Sequence, residues 1–264
     1  MPWRNLGNEA TGRIQEPMKK KYLISLLMIV MISLLLAGCG KSKETQYQSY
    51  VQSLITANYL GTSDEYIKTT GVNESDAEAL YLQNASRLAN NLIRYYGLDI
   101  ANDPEMAPRM TDVAKLIYSK IRFSVSAARM ENGIYYVDVT IHPINILNDS
   151  HDDAVDCIGE FNKKVKAGEY NDYTKEEYQR ALASGLLDIL EEHTKNLTYL
   201  DPQVVTVRII EGKDTYYISD DDLKAIDNLV IATVSDENKK KKPEEGGTEE
   251  KKEDGTDSTE KSWG

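Results

Sequence analysis

The chain has 264 residues, 31 basic and 43 acidic, for a net charge of −12. So acidic a surface repels phosphate backbones, which argues against a nucleic-acid partner. Two cysteines cannot build a disulfide framework, so a packed core must carry the fold.

In chain order, residues 1–17 ("MPWRNLGNEATGRIQEP") show no hydrophobic period and precede a complete signal segment. They are expected to be an upstream extension from a start codon read too early, with Met18 the natural start. Lys19, Lys20 and Lys21 then form a basic run, and Tyr22 to Leu36 is an uncharged stretch of fifteen residues. That is the pattern of a secretory signal, and it is short for a spanning helix, which needs about 20 apolar residues. Leu36-Ala37-Gly38-Cys39 resembles the lipobox of bacterial lipoproteins. The resemblance implies a diacylglyceryl group on the Cys39 sulfur, cleavage just before it, and residues 18–38 as the signal peptide. Acyl chains of the palmitate kind anchor at about 0.8 kcal/mol per buried methylene, marginally for one chain and stably for two. The expected location is the cell membrane, lipid-anchored on its extracytoplasmic face, with 39–44 as the lipidated cysteine and linker. Cleavage removes Arg4, Arg13, Lys19, Lys20, Lys21, Glu9 and Glu16, leaving 26 basic against 41 acidic residues, a net of −15.

Residues 45–234 read as an α+β domain. Tyr47, Tyr50, Val51 and Leu54 follow helical spacing up to Gly61. A second stripe runs Tyr81, Ala85, Leu88, Leu92, Tyr95 to Gly97, and a third helix opens at Asp103-Pro104. The period then becomes two over Ile121, Phe123, Val125 and Ala127. After "ENG" it is two again over Tyr135, Val137, Val139 and Ile141, which reads as a hairpin ended by His142-Pro143. Ala154, Cys157, Ile158, Phe161 and Val165 make a helix. Another starts at the capping box Thr174–Glu177, its stripe reaching Leu197. Val205 to Ile209 and Thr215 to Ile218 make a second hairpin, and a last helix starts at Asp220. The predicted order is ααα-ββ-αα-ββ-α, an antiparallel sheet of two hairpins covered by helices. The blocks place Tyr135-Tyr136 and Tyr216-Tyr217 comparably, which hints at a repeat. A small helix-covered meander is also similar in shape to cystatin-like and nuclear-transport-factor-like folds. From 235 to 264 the chain is charge-rich and of low complexity, a composition expected to be disordered. Both tryptophans, Trp3 and Trp263, fall outside the domain.

Three segments, Leu54–Tyr81, Ile117–Leu147 and Tyr216–Ile231, look like stretches of an uncharacterised lipoprotein family of anaerobic Gram-positive gut bacteria. That resemblance implies location and fold but no chemistry.

No nucleophile elbow, zinc-protease helix, phosphate loop or CxxC occurs in the sequence. With Cys39 lipidated, Cys157 is alone and is expected to pack in its helix. "NDSHDDAVD" gathers Asp149, His151, Asp152, Asp153 and Asp156, of which Asp149, His151, Asp152 and Asp156 are candidate metal ligands. The competing explanation is an acidic helix start, where carboxylates favour the dipole. His193 lies on an apolar stripe, as a core histidine would, and His142 at a strand end. Tyrosine offers apolar contact plus a hydroxyl, so Tyr136 and Tyr216 are candidates for an open sheet face that binds a ligand.

The expectation is a non-enzymatic lipoprotein that binds a small ligand, glycan, peptide or envelope protein, with no cofactor. Alternatives are an envelope hydrolase or carbohydrate-acting enzyme using carboxylates, and a structural accessory subunit of an envelope complex.

Overall fold

The computed structural model describes residues 42–213 and 216–234. Cys39, the signal segment, residues 1–17 and the charged tail from 235 lie outside the described residues. The chain opens with α1 (Lys43–Ile55), a π-helical turn (Thr56–Leu60), α2 (Asp64–Thr70), α3 (Glu74–Tyr95) and α4 (Met106–Tyr118). Strands β1 (Arg122–Val125), β2 (Arg129–Glu131) and β3 (Ile134–His142) follow. Then come α5 (Ile146–Asp149), α6 (His151–Lys166), α7 (Lys175–His193), β4 (Gln203–Glu211), β5 (Tyr216–Ile218) and α8 (Asp220–Val230). Helices and one antiparallel sheet make the fold α+β, the class expected. Among the described residues, no helix is long and apolar enough to cross a membrane.

These elements fall into two compact units. The first takes residues 42–87, then Ile121–Pro143 and Asp201–Val230; the second takes Leu88–Lys120, Ile144–Leu200 and residues 231–234.

The first unit holds the sheet, ordered β1-β3-β4-β5 with β2 also paired to β3. The two predicted hairpins share this sheet because β3 pairs antiparallel with β4, from Tyr135↔Ile209 to Ile141↔Gln203. The Asn132-Gly133 turn has φ of 52° and 80°, the two positive values a type I′ hairpin needs. Alternation then buries Tyr135, Val137, Val139 and Ile141, which face Val207 and Ile209. Each such side chain contributes about 1.5–3 kcal/mol relative to exposure. Onto this face α1 lays Tyr47 and Tyr50, and α8 lays Ile226 and Val230.

The strand expected over 121–127 is interrupted. Val125 pairs with Val139 but Arg129 pairs with Tyr136, so three residues oppose two. This is a bulge, and it moves every later side chain of that strand to the other face. Asp138 secures it: its carbonyl accepts from Ser126 N at 2.9 Å and its N–H donates to Ser126 Oγ at 3.0 Å.

The second unit is helical. Helix α7 packs against α4 and α6, burying Ala183, Leu186, Leu187 and Leu190. Its start is the predicted capping box: Glu177 N donates to Thr174 Oγ1 at 3.2 Å and Thr174 N to Glu177 Oε2 at 2.8 Å. Arg109 of α4 reaches Asp188 at 2.6 Å and Glu191 at 3.1 Å on α7. Helix α7 stops at His193 rather than running to Leu197, and 194–196 tighten into a 3-10 turn. Helices α2 and α5 were not expected; seven and four residues are too few to show a period.

Candidate functional site

The β-sheet of the first unit has one packed face and one open face. Tyr136, Asp138 and Thr140 of β3, Val204, Thr206 and Arg208 of β4 and Tyr217 of β5 point away from the core, and none of them is buried. Arg129 joins them because of the bulge, which turns it from the core side to stand beside Tyr136.

Across three strands the register sets Arg129, Tyr136 and Arg208 in one row. The Arg129 guanidinium lies 6.0 Å from the centre of the Tyr136 ring, within cation–π range. It also donates to Asp138 Oδ2 at 2.6 Å and Glu131 Oε1 at 2.7 Å. Thr206 donates to the other Asp138 oxygen at 2.6 Å. Arg129 first, then Thr206, holds the Asp138 carboxyl below its ordinary range. Arg208 stands on the other side of Tyr136 in the register, exposed, and its guanidinium makes no ion pair among the described residues. An aromatic ring in a row between two arginines, with a hydroxyl from Thr206 nearby, can meet a ligand's flat apolar surface and its polar edge together.

Of the two tyrosines expected on this face, Tyr136 is there and Tyr216 is not. The pairing Ile209↔Ile218 fixes β5, and Tyr216, two residues from Ile218, shares its core side at 2% exposure. Tyr217 takes the outward position, 37% exposed. Tyr216 instead belongs to a stack of rings, 5.0 Å from Tyr47 and 5.1 Å from Tyr50, while Tyr47 lies 4.9 Å from Tyr135. Tyr47 donates its hydroxyl to Glu211, which also accepts from Lys43 at 2.8 Å. Burial, then Glu211, pushes the Tyr47 hydroxyl well up, while Lys43 and Tyr47 draw Glu211 down. Sequence reasoning missed Arg129, Arg208 and Tyr217. The alternation of Val205, Val207 and Ile209 already put Arg208 outward, whereas the bulge behind Arg129 left no sequence signal.

The four candidate metal ligands do not converge. Asp149 spends its oxygens on Thr198 N at 2.9 Å, Thr198 Oγ1 at 2.7 Å and Asn145 Nδ2 at 2.9 Å. His151 is 8% exposed, its Nε2 buried and without a partner among the described residues. Asp152 and Asp156 lie further along α6, and among the described residues no three His, Cys, Asp or Glu side chains are placed to hold a metal ion. Asp153, outside that set, accepts from His193 Nε2 at 2.7 Å, tying α6 to α7. His142 ends β3 opposite Arg122. Cys157 is half-buried with its sulfur against Gly185; burial, then Asp188, pushes the thiol up, away from thiolate reactivity.

Two further polar groupings exist. In the first unit Asp227 accepts from Tyr59 and pairs with Arg87 at 2.6 Å. Burial raises its carboxyl against the pull of Arg87 and Tyr59, and it is the one Asp or Glu so raised among the described residues. In the second unit a cleft of ≈ 240 Å³ lies between residues 99–104 and the start of α7. Its charges already pair, Lys175 with Asp99 at 2.5 Å and Arg180 with Asp103 at 2.6 Å.

Neither a protein-family model nor a curated protein sequence matches the chain. A solved structure that is similar to it is that of ycdA, a lipoprotein candidate of Bacillus subtilis, with 16% identity and a TM-score of 0.49. The match covers 71% of this chain and 56% of that one.

Proposed function

We propose that this protein is an extracytoplasmic binding module, anchored in the cell membrane by lipid on Cys39, which meets a ligand or envelope partner through the open face of its sheet. The observation that carries the reading is the row Arg129–Tyr136–Arg208 on a face without a buried residue, behind which the opposite face buries Tyr135, Val137, Val139, Ile141, Val207 and Ile209. The basic, apolar and small-residue order of 19–39 supports the anchor. Tyr217 and Thr206 extend the same surface, so aromatic and hydroxyl contacts lie within one patch.

The test is a thermal-shift screen of the full chain against glycans, muropeptides and peptides. A ligand at one hundred times its dissociation constant stabilises the fold by about 2.7 kcal/mol. Tyr136→Ala is expected to abolish the shift while leaving the unliganded melting temperature within a few degrees. A ligand whose shift survives Tyr136→Ala would place the site elsewhere, and a blank screen would overturn the reading.

A further inference from the structure

An antiparallel sheet exposes unpaired backbone at its edges, and folded proteins usually plug them. Here three stretches of edge are plugged. On the β1–β2 side, α1 supplies Gln48 Nε2 to Val125 O at 2.8 Å and Glu44 O to Ala128 N at 3.2 Å. On the opposite side β5 covers β4 only over Ile209–Glu211. Just beyond it, the Asp222 carboxylate at the start of α8 accepts from Arg208 N at 3.2 Å.

That last contact fixes the direction of the remaining backbone. If Arg208 N–H points outward from β4, the period of two turns the N–H and C=O of Thr206 and Val204 outward as well. Among the described residues these four groups have no hydrogen-bond partner. The stretch is also bare: Val204 is 60% exposed, and Thr206 and Arg208 are exposed.

We infer that the Val204–Thr206 edge of β4, as far as the Asp222 plug at Arg208 N, receives an extended peptide as an added strand, with an acidic residue of that peptide beside the Arg208 side chain. Main-chain hydrogen bonds to Val204 and Thr206 would hold the strand, and alternate side chains would be read on the open face. Charge complementarity selects the occupant. Arg129 is already neutralised by Asp138 and Glu131, whereas the Arg208 guanidinium makes no ion pair among the described residues. A second copy of this chain fits less well. Antiparallel pairing about Thr206 would set its Val204, not a carboxylate, opposite Arg208. The apolar Val204 asks for a β-branched residue four positions from the acid. This inference deepens the open-face reading and rests on it, but its contacts are to backbone and to Arg208 rather than to Tyr136.

The probe is a fluorescein-labelled peptide, Glu-Thr-Thr-Thr-Val with blocked ends, titrated into the full chain by anisotropy, with Lys replacing Glu as the control. The Glu peptide is expected to bind about tenfold more tightly than the Lys peptide. Val204→Pro removes an outward N–H that makes no internal bond, so it folds normally and loses the peptide. Arg208→Glu reverses the preference between the two peptides. Equal binding of both peptides, binding that survives Val204→Pro, or no binding at millimolar peptide overturns the inference. A dimer in sedimentation velocity that Val204→Pro dissolves also overturns it, by assigning the edge to a second copy. A glycan shift that survives Val204→Pro, with no peptide bound, removes this inference and leaves the open-face reading intact.

Discussion

Glu211 shows how one side chain ties pH to stability. Its carboxyl is held below its ordinary value of 4.5 by Lys43 and then Tyr47, so the folded state binds its proton less readily than the unfolded chain does. The stability it adds is therefore full above that value and drains as pH falls through the lower folded value. Urea denaturation across a pH series is expected to show a shallower acid limb for Glu211→Gln than for the wild type; parallel limbs would remove the role. Asp227 has the opposite sign. Burial raises it above 3.8, so its contribution is complete in acid and is lost as pH rises through its folded value. Packing makes an equally local case at Gly185, where an added Cβ would stand 2.8 Å from the Cys157 sulfur. Gly185→Ala gains about 1 kcal/mol of helix propensity but crowds a packed contact, which costs about 1–3 kcal/mol. We expect it to destabilise the wild type and to stabilise a Cys157→Ala background, a reversal that a double-mutant cycle in denaturant reads directly. No period in the sequence pointed at this contact, because it depends on which turns of α6 and α7 meet.

At the level of elements, the hairpin of β2 and β3 hangs on Asn132-Gly133. Gly133 sits at φ 80° with nothing near its missing Cβ, so Gly133→Ala tests backbone strain without crowding. The expected loss is about 1 kcal/mol in equilibrium unfolding, and a neutral result would mean the turn can change type. This turn was legible because two positive-φ residues between alternating runs have one physical use. The strands of β3 and β4 were legible for the same kind of reason: Val137, Val139, Val207 and Ile209 bury alternate positions on both sides of one pairing. The bulge at 126–128 was not, since one extra residue leaves the local composition of a strand unchanged and shows itself only against its partner. The tyrosine pairs carry the sharper lesson. Tyr135-Tyr136 and Tyr216-Tyr217 do occupy equivalent places, the first ring of each inward and the second outward. Matching the pairs would have chosen Tyr217; Ile218, two residues from Tyr216, already marked Tyr216 as inward.

For the whole molecule, the proposed anchor and the proposed binding face are expected to be separable. Cys39→Ser is expected to abolish palmitate labelling and to move the protein from the membrane fraction to the soluble fraction, leaving ligand shifts unchanged. Membrane retention without label would mean that the segment 22–36 itself holds the chain in the bilayer. The full chain's net charge of −12 constrains the proposed binding: an acidic protein is repelled by anionic surfaces, so the basic row would meet the proposed ligand by contact rather than by long-range steering.

The tyrosine stack has an optical consequence. Residues 42–234 contain no tryptophan, while Tyr47, Tyr50, Tyr135 and Tyr216 hold their rings at 4.9–5.1 Å and 68–87° to one another. Rings so close and so inclined couple their transitions, so the near-ultraviolet circular dichroism of this protein should carry a tyrosine signature that disappears on unfolding. Tryptophan emission, by contrast, comes only from Trp263 once the chain is cut before Cys39 as proposed. One sample therefore carries two independent reporters, absorption chirality for the core and fluorescence for the charged segment that ends in Trp263.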